Sequence, residues 1–166
     1  MAVADLVILE QDHTRFVSAL DRLRNEANAR LVFLLDKNGQ QIAACGDLNG
    51  VDPTSLASLT AGNVAATDGL AKLIGEREFS ILFHEGERDN IHISIVAQRV
   101  ILVVIFDERS SLGLVRLRVK KASTELNDVF ARIMAKVEKE KSQAGTAFES
   151  PFAEITDEDI DSLFSE

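Results

Sequence analysis

Three histidines, His13, His84 and His92, and one cysteine, Cys45, are the side chains of this 166-residue chain most able to bind a metal or attack an electrophile. Their spacing performs neither task. A zinc site on a helix needs a second histidine one turn from the first, and His84-Glu85 has none. One thiol makes no internal disulfide, and without a His-rich neighbourhood Cys45 reads as a small buried apolar residue rather than a ligand or nucleophile. Phosphate-binding loops are missing too. No Gly-x-x-x-x-Gly-Lys-Ser/Thr run occurs, and Gly62, Gly69 and Gly75 lie within or at the end of a helical pattern, which is not the setting of a dinucleotide fingerprint. A Ser-His-Asp triad assembles only in space, but no nucleophile elbow marks one. With every mechanism-bearing motif absent, the chain reads as a protein without catalysis of its own, needing no metal and no cofactor.

Charge narrows the partner. The net charge of −9 disfavours nucleic acid and anionic membrane, because both are bound by displacing counterions with Lys and Arg. Residues 148–166 hold seven acids (Glu149, Glu154, Asp157, Glu158, Asp159, Asp161, Glu166) and no Lys or Arg, so the rest of the chain is close to neutral. There is no run of 18 apolar residues and no basic-then-apolar N-terminus, so neither a membrane span nor a secretory leader is expected and the protein reads as cytoplasmic.

Hydrophobic periodicity supplies the elements that must position any site. Leu9, Phe16, Leu20, Leu23 and Ala27 form the stripe of an amphipathic helix. Two β-forming runs, Leu31–Leu35 and Gln41–Cys45, flank Asp36-Lys37-Asn38-Gly39, where Asn-Gly supplies the positive φ angles of a tight hairpin. Asp52-Pro53 opens a second helix as cap and first residue, and Gly75 closes it. Phe79–His84, Ile91–Ala97 and Val100–Phe106 read as strands, the last apolar on both faces and therefore central. From Leu112 a three-and-four rhythm runs through Val115, Val119, Ala122, Leu126, Val129, Ile133 and Val137 as a long helix. Its basic side, Arg116, Lys120, Lys121, Arg132 and Lys136, reads as a solvated face without the aromatic residues that stack on bases. The composition then shifts, which divides the chain into a domain over 1–138, a flexible linker over 139–150 and an acidic amphipathic helix over 151–166. The expected fold is an α/β sandwich, a five-stranded and mainly antiparallel sheet flanked by three helices in the order α-β-β-α-β-β-β-α.

Two features remain. On a helical wheel of about 100° per residue, Thr54, Ser58, Ala61, Gly62, Ala65, Asp68, Gly69 and Lys72 fall within about 60° of one direction. Opposite stand Leu56, Leu59, Leu70 and Ile74, expected to face the sheet or core. Two interior glycines cost about 1 kcal/mol each against alanine. A close approach is expected to offset them, from within the subunit or from another chain, and the helix alone leaves both open. In the tail, Thr156 suits an N-cap, Asp159 the reciprocal capping position, and Ile155 with Ile160 a hydrophobic staple. Ile160, Leu163 and Phe164 then form one stripe, the pattern of a short helix that orders on docking; the plainer reading is a solubilising tail.

The segments Leu31–Gly39, Thr54–Glu76, Val103–Ala122 and Ser150–Glu166 resemble bacterial Roadblock-family regulators of the MglB type, over nearly the whole chain. The resemblance implies a Roadblock/longin-like sandwich with its short C-terminal helix on a linker. It implies a homodimer or higher oligomer in which second helices pack together and edge strands join, here through Phe79, Ile81, Leu82 and Phe83. The implied partner is a Ras-like small GTPase of the MglA type, bound through Ala61, Ala65, Asp68, Gly69 and Lys72; GTP and Mg²⁺ would belong to that partner. Such regulators are understood to speed hydrolysis without an arginine finger, by remodelling the GTPase, although Arg77, Arg88 or Arg109 could still reach over. The tail would bind the same GTPase through Phe152, Ile155, Ile160, Leu163 and Phe164 and modulate nucleotide exchange. Cell polarity and gliding motility, with a cell-pole address, come with the resemblance. The alternative is a Roadblock scaffold that gathers partners and leaves hydrolysis unchanged.

Overall fold

The computed structural model describes residues 10–152, with side chains to residue 143. In chain order the elements are α1 (Glu10–Glu26), β1 (Leu31–Asp36), β2 (Gln41–Gly46), α2 (Pro53–Leu73), β3 (Ile81–Glu85), β4 (Asn90–Val96), β5 (Val100–Phe106) and α3 (Leu112–Phe152). The five strands form one antiparallel sheet in the order β2-β1-β5-β4-β3. The chain divides into two compact units at Phe130/Ala131; the first holds the sheet, α1, α2 and the start of α3, and the second, where described, continues α3.

The central place expected for the Val100–Phe106 strand is observed, with all seven residues of β5 buried. Register fixes which side chains share a face. Ala44, Phe33, Val103, Ile93 and Leu82 lie in one row across the sheet, and Leu31, Leu35, Ile101 and Ile105 extend that face into a core with Ala57, Ala61 and Val64 of α2. The opposite face is covered by α1 and the first part of α3, where Phe16 and Phe130 meet with ring centroids 4.9 Å apart. Each fully buried Val, Leu, Ile or Phe contributes about 1.5–3 kcal/mol. Arg22 and Glu125 pair at 2.7 Å across α1 and α3, and Glu26 takes Lys121 at 3.3 Å and Arg118 at 3.6 Å, so part of the expected solvated basic face is engaged.

Several sequence expectations are corrected in detail. The hairpin forms, but Gly39 alone in its turn has a positive φ, 88°. The Asp36 carboxylate holds the turn instead, accepting from the N–H groups of Asn38 and Gln40 at 2.9 Å each. The third strand starts at Ile81, so Phe79 precedes it. The segment 139–150 is helical rather than a linker. Its Lys, Glu, Gln and Ala residues are strong helix formers, and a polar composition alone does not end a helix. Leu9 and the tail anchors Ile155, Ile160, Leu163 and Phe164 lie outside the described residues; Phe152 ends α3.

Candidate functional site

Helix α2 is fixed firmly at both ends. Asp52 caps it, accepting from the Thr54 N–H at 3.2 Å and from the Ser55 hydroxyl at 2.6 Å, and Pro53 takes the first helical position. The Ser55 hydroxyl holds the Asp52 carboxyl below its ordinary range. At the other end Gly75 adopts φ 80°, and the Glu76 N–H returns to the Ala71 carbonyl at 2.8 Å.

The face that seats on the sheet is made of small residues: Ala57, Thr60, Ala61, Val64 and Ala71 are its buried positions. The expectation that Leu59, Leu70 and Ile74 face the core is overturned; they are 74%, 59% and 68% exposed, and Leu73 is 82% exposed. Only Leu56 of that group packs against the core. Small residues bring the helix close to the sheet, and that spacing leaves the leucines on the outside. Leu59, Gly62, Ala66, Gly69 and Leu73 alternate by three and four along this outer line, the seam spacing of helix pairing. Around Gly62 and Gly69 an added Cβ would meet nothing within 4 Å. Nothing within the described residues therefore offsets their cost.

The predicted contact residues separate. Ala61 is buried at 8% exposure against its own sheet. Near it the β1–β2 turn approaches so closely that a Cβ on Gly39 would stand 3.3 Å from the Ser58 Cα and 3.5 Å from the Ala61 Cβ. That half of the small face serves the subunit's own packing. Ala65, Gly69 and Lys72 are exposed, and Asp68 is half-buried with Oδ1 enclosed and unpartnered. The predicted edge is an edge: among the described residues β3 pairs only with β4. Ile81 is 48% exposed, Phe79 and Leu82 are half-buried, and Phe83 stacks on Phe106 with centroids 6.2 Å apart. Asn63 Nδ2 and His84 Nε2 lie 2.8 Å apart and tie α2 to this edge strand, a link between remote segments that sequence spacing gives no sign of.

Turns gathered by the fold add residues that the sequence did not single out. Lys37 from the β1–β2 turn, Glu78 from the α2–β3 loop and Gln98 from the β4–β5 turn line a groove of about 250 Å³ with Asp68, Lys72 and Arg77. The other two arginines considered for reaching over, Arg88 and Arg109, are placed elsewhere. Arg88 and Arg109 line a separate polar cleft of about 740 Å³, where Arg109 donates from Nε to Asp107 Oδ1 and from Nη2 to Asp107 Oδ2, each at 3.0 Å.

The potential chemistry of histidine and cysteine does not assemble. His92 is wholly buried with neither ring nitrogen partnered, and burial, then the charge of Arg116, pushes its pKa down. Cys45 is half-buried and donates to Asp21 Oδ1 at 3.3 Å; burial and then Asp21 raise its pKa, the opposite of an activated thiol. Among the described residues no three His, Cys, Asp or Glu side chains gather as a metal set, and no helix is long and apolar enough to cross a membrane.

The Roadblock/LC7 domain model matches residues 16–106. No curated protein sequence matches the chain. Among solved structures, MglB of Myxococcus xanthus is 58% identical with a TM-score of 0.73, over 76% of this chain and 96% of that one. The gliding protein MglB of Thermus thermophilus is 36% identical with a TM-score of 0.69, over 75% and 95% of the two chains. An MglB in a tetrameric arrangement is 33% identical with a TM-score of 0.72, over 78% and 97%. With its antiparallel five-stranded sheet between α2 on one face and α1 and the first part of α3 on the other, this chain belongs to the Roadblock/LC7 domain family and, within it, to the MglB group.

Proposed function

We propose that this chain is a homodimeric activator of a Ras-like small GTPase of the MglA type. Two copies pair through α2 and the β3 edge, and the paired helices present the exposed small flank, Ala65, Gly69 and Lys72, to the GTPase. The observation that carries the reading is the outer side of α2, where three leucines stand exposed beside two glycines that the subunit's own packing does not require. Such a surface gains by meeting another backbone at close range. The similar MglB with a tetrameric arrangement supports self-association.

Activation then proceeds by remodelling the GTPase so that its own groups align on the nucleotide. Helix α2 contains no arginine, and Arg109 is held by Asp107, which supports a mechanism without an arginine finger. No cofactor of the regulator's own enters; GTP and Mg²⁺ are the partner's. The tail anchors Phe152, Ile155, Ile160, Leu163 and Phe164 are assigned to a second contact on the same GTPase, away from the nucleotide, that modulates exchange.

Single-turnover GTP hydrolysis by the cognate GTPase tests the proposal. The rate should rise when the protein is added, and an unchanged rate with intact binding would favour the scaffold reading instead. Ala65→Arg should abolish stimulation while sedimentation still shows a dimer; loss of the dimer would reassign that flank to subunit pairing.

A further inference from the structure

We propose that the groove between Lys72 and Arg77, at the C-terminal end of α2, is a docking cleft for an acidic side chain carried on a peptide segment of the partner protein. The inference rests on the reading of α2 as the GTPase-facing helix and names a chemical feature that the partner must bring.

The groove draws its walls from four places: Lys37, the pair Asp68 and Lys72 on α2, the pair Arg77 and Glu78, and Gln98. Lys37 and Glu78 lie 3.5 Å apart and neutralise one another. That leaves two cations, Lys72 and Arg77, against one carboxylate, Asp68. Lys72 follows Asp68 by four residues, a spacing at which a helix readily pairs opposite charges. Yet among the described residues neither Lys72 nor Arg77 has an ion-pair partner, and Asp68 Oδ1 is enclosed without a donor. The cleft therefore holds one positive charge in excess within a chain of net charge −9.

These demands select the occupant. A carboxylate from outside satisfies both cations, and the Arg77 guanidinium offers it a two-pronged donor. A cationic side chain would be repelled by Lys72 and Arg77. A fully ionised phosphate would bring about two negative charges against a single excess cation, where a carboxylate brings one. Lys72 also continues the exposed flank of Ala65 and Gly69, so a segment lying along that flank reaches the groove without turning away.

The test measures association of the intact protein with its GTPase at about 0.01 and 0.15 M salt, where the screening length falls from roughly 30 to 8 Å. The variants are Lys72→Glu with Arg77→Glu, Arg77→Lys and Arg77→Ala, each with unfolding curves to show an unchanged fold. The double reversal should weaken affinity at least about tenfold at low salt, mainly by slowing association, and should flatten the salt dependence. Arg77→Lys should retain most of the affinity. A wild-type protein that neither binds nor stimulates the GTPase would defeat the functional reading itself. Wild-type stimulation alongside unaltered affinity and salt dependence in the double reversal would overturn the groove alone. So would dissociation of the protein's own dimer in that variant, which would make a second copy the occupant. Loss of maximal turnover in Arg77→Ala at unchanged affinity would likewise overturn it, by placing the arginine on the nucleotide.

Discussion

Replacing Gly62 and Gly69 by alanine pulls apart two quantities that most interface mutations confound. Both glycines lie inside α2, and a Cβ at either would meet nothing within 4 Å. Alanine is more favourable than glycine in a helix interior by about 0.8–1.0 kcal/mol. The isolated subunit should therefore gain about 2 kcal/mol, which for a domain of this size raises Tm by about 6 °C. The same two methyl groups stand on the line of Leu59, Ala66 and Leu73. If a second α2 crosses there at backbone distance, each methyl overpacks the contact at a cost of about 1–3 kcal/mol. A two-fold interface then carries every substitution twice. Dimer affinity should fall by at least about tenfold, since each 1.4 kcal/mol is one decade. The assay is urea unfolding over a wide range of protein concentration, with sedimentation alongside. The wild-type midpoint should rise with concentration, because pairing stabilises the folded chain. The double variant should start higher and lose that dependence. Reduced stability at the lowest concentration would show that the space around the glycines is not open. Undiminished pairing would show that close approach is not what the glycines serve.

Other perturbations address the frame around the site. His92 is buried with both ring nitrogens unpartnered and a depressed pKa. As pH falls through about 6.5 the unfolded chain takes up this proton first, so stability present above that value is lost below it, down to the folded-state pKa. His92→Leu should remove that acid loss and add about 1–3 kcal/mol at neutral pH by eliminating an unsatisfied buried group; a wild-type unfolding midpoint flat from pH 7.5 to about 5 would contradict the assignment. Ala97 and Gln98 form the β4–β5 turn with φ of 54° and 58°, a left-handed pair that costs non-glycine residues about 1–2 kcal/mol each. Ala97→Asn with Gln98→Gly should recover about 1–2 kcal/mol in urea unfolding, and no gain would mean that other contacts already hold the turn.

The parts of the fold most legible in sequence are those where one physical demand acts alone. β5 must be covered on both faces because Val100–Phe106 has no polar residue to place in water, and it lies mid-sheet. Asp52-Pro53 marked the start of α2 because cap chemistry is local. Demands met only in space were not readable. The Asn63–His84 link joins residues on different elements, and the groove of Lys37, Asp68, Lys72, Arg77, Glu78 and Gln98 gathers turns whose meeting depends on strand order. The end of α3 departs from the sequence expectation for a different reason. Polar residues over 139–150 suggested a linker, but a helix needs an apolar stripe only where it is covered, and propensity carries it beyond that point.

The misassigned face of α2 bears most directly on function. A wheel with leucines on one side and alanines on another invites the inference that the larger residues point inward, since they gain most from burial. In this chain Ala57, Ala61, Val64 and Ala71 meet the sheet while Leu59, Leu70 and Leu73 stand outside. Full burial of three leucines contributes roughly 5–9 kcal/mol, comparable to the whole stability of a typical domain. In the single subunit much of that remains unrealised. Among the described residues nothing covers this apolar surface beside the β3 edge; on the proposed reading it is collected when two copies associate, and the glycines let the two backbones come close enough to collect it. On that reading, small residues inside and large ones outside make pairing, rather than folding of the subunit, the step that completes this side of the molecule.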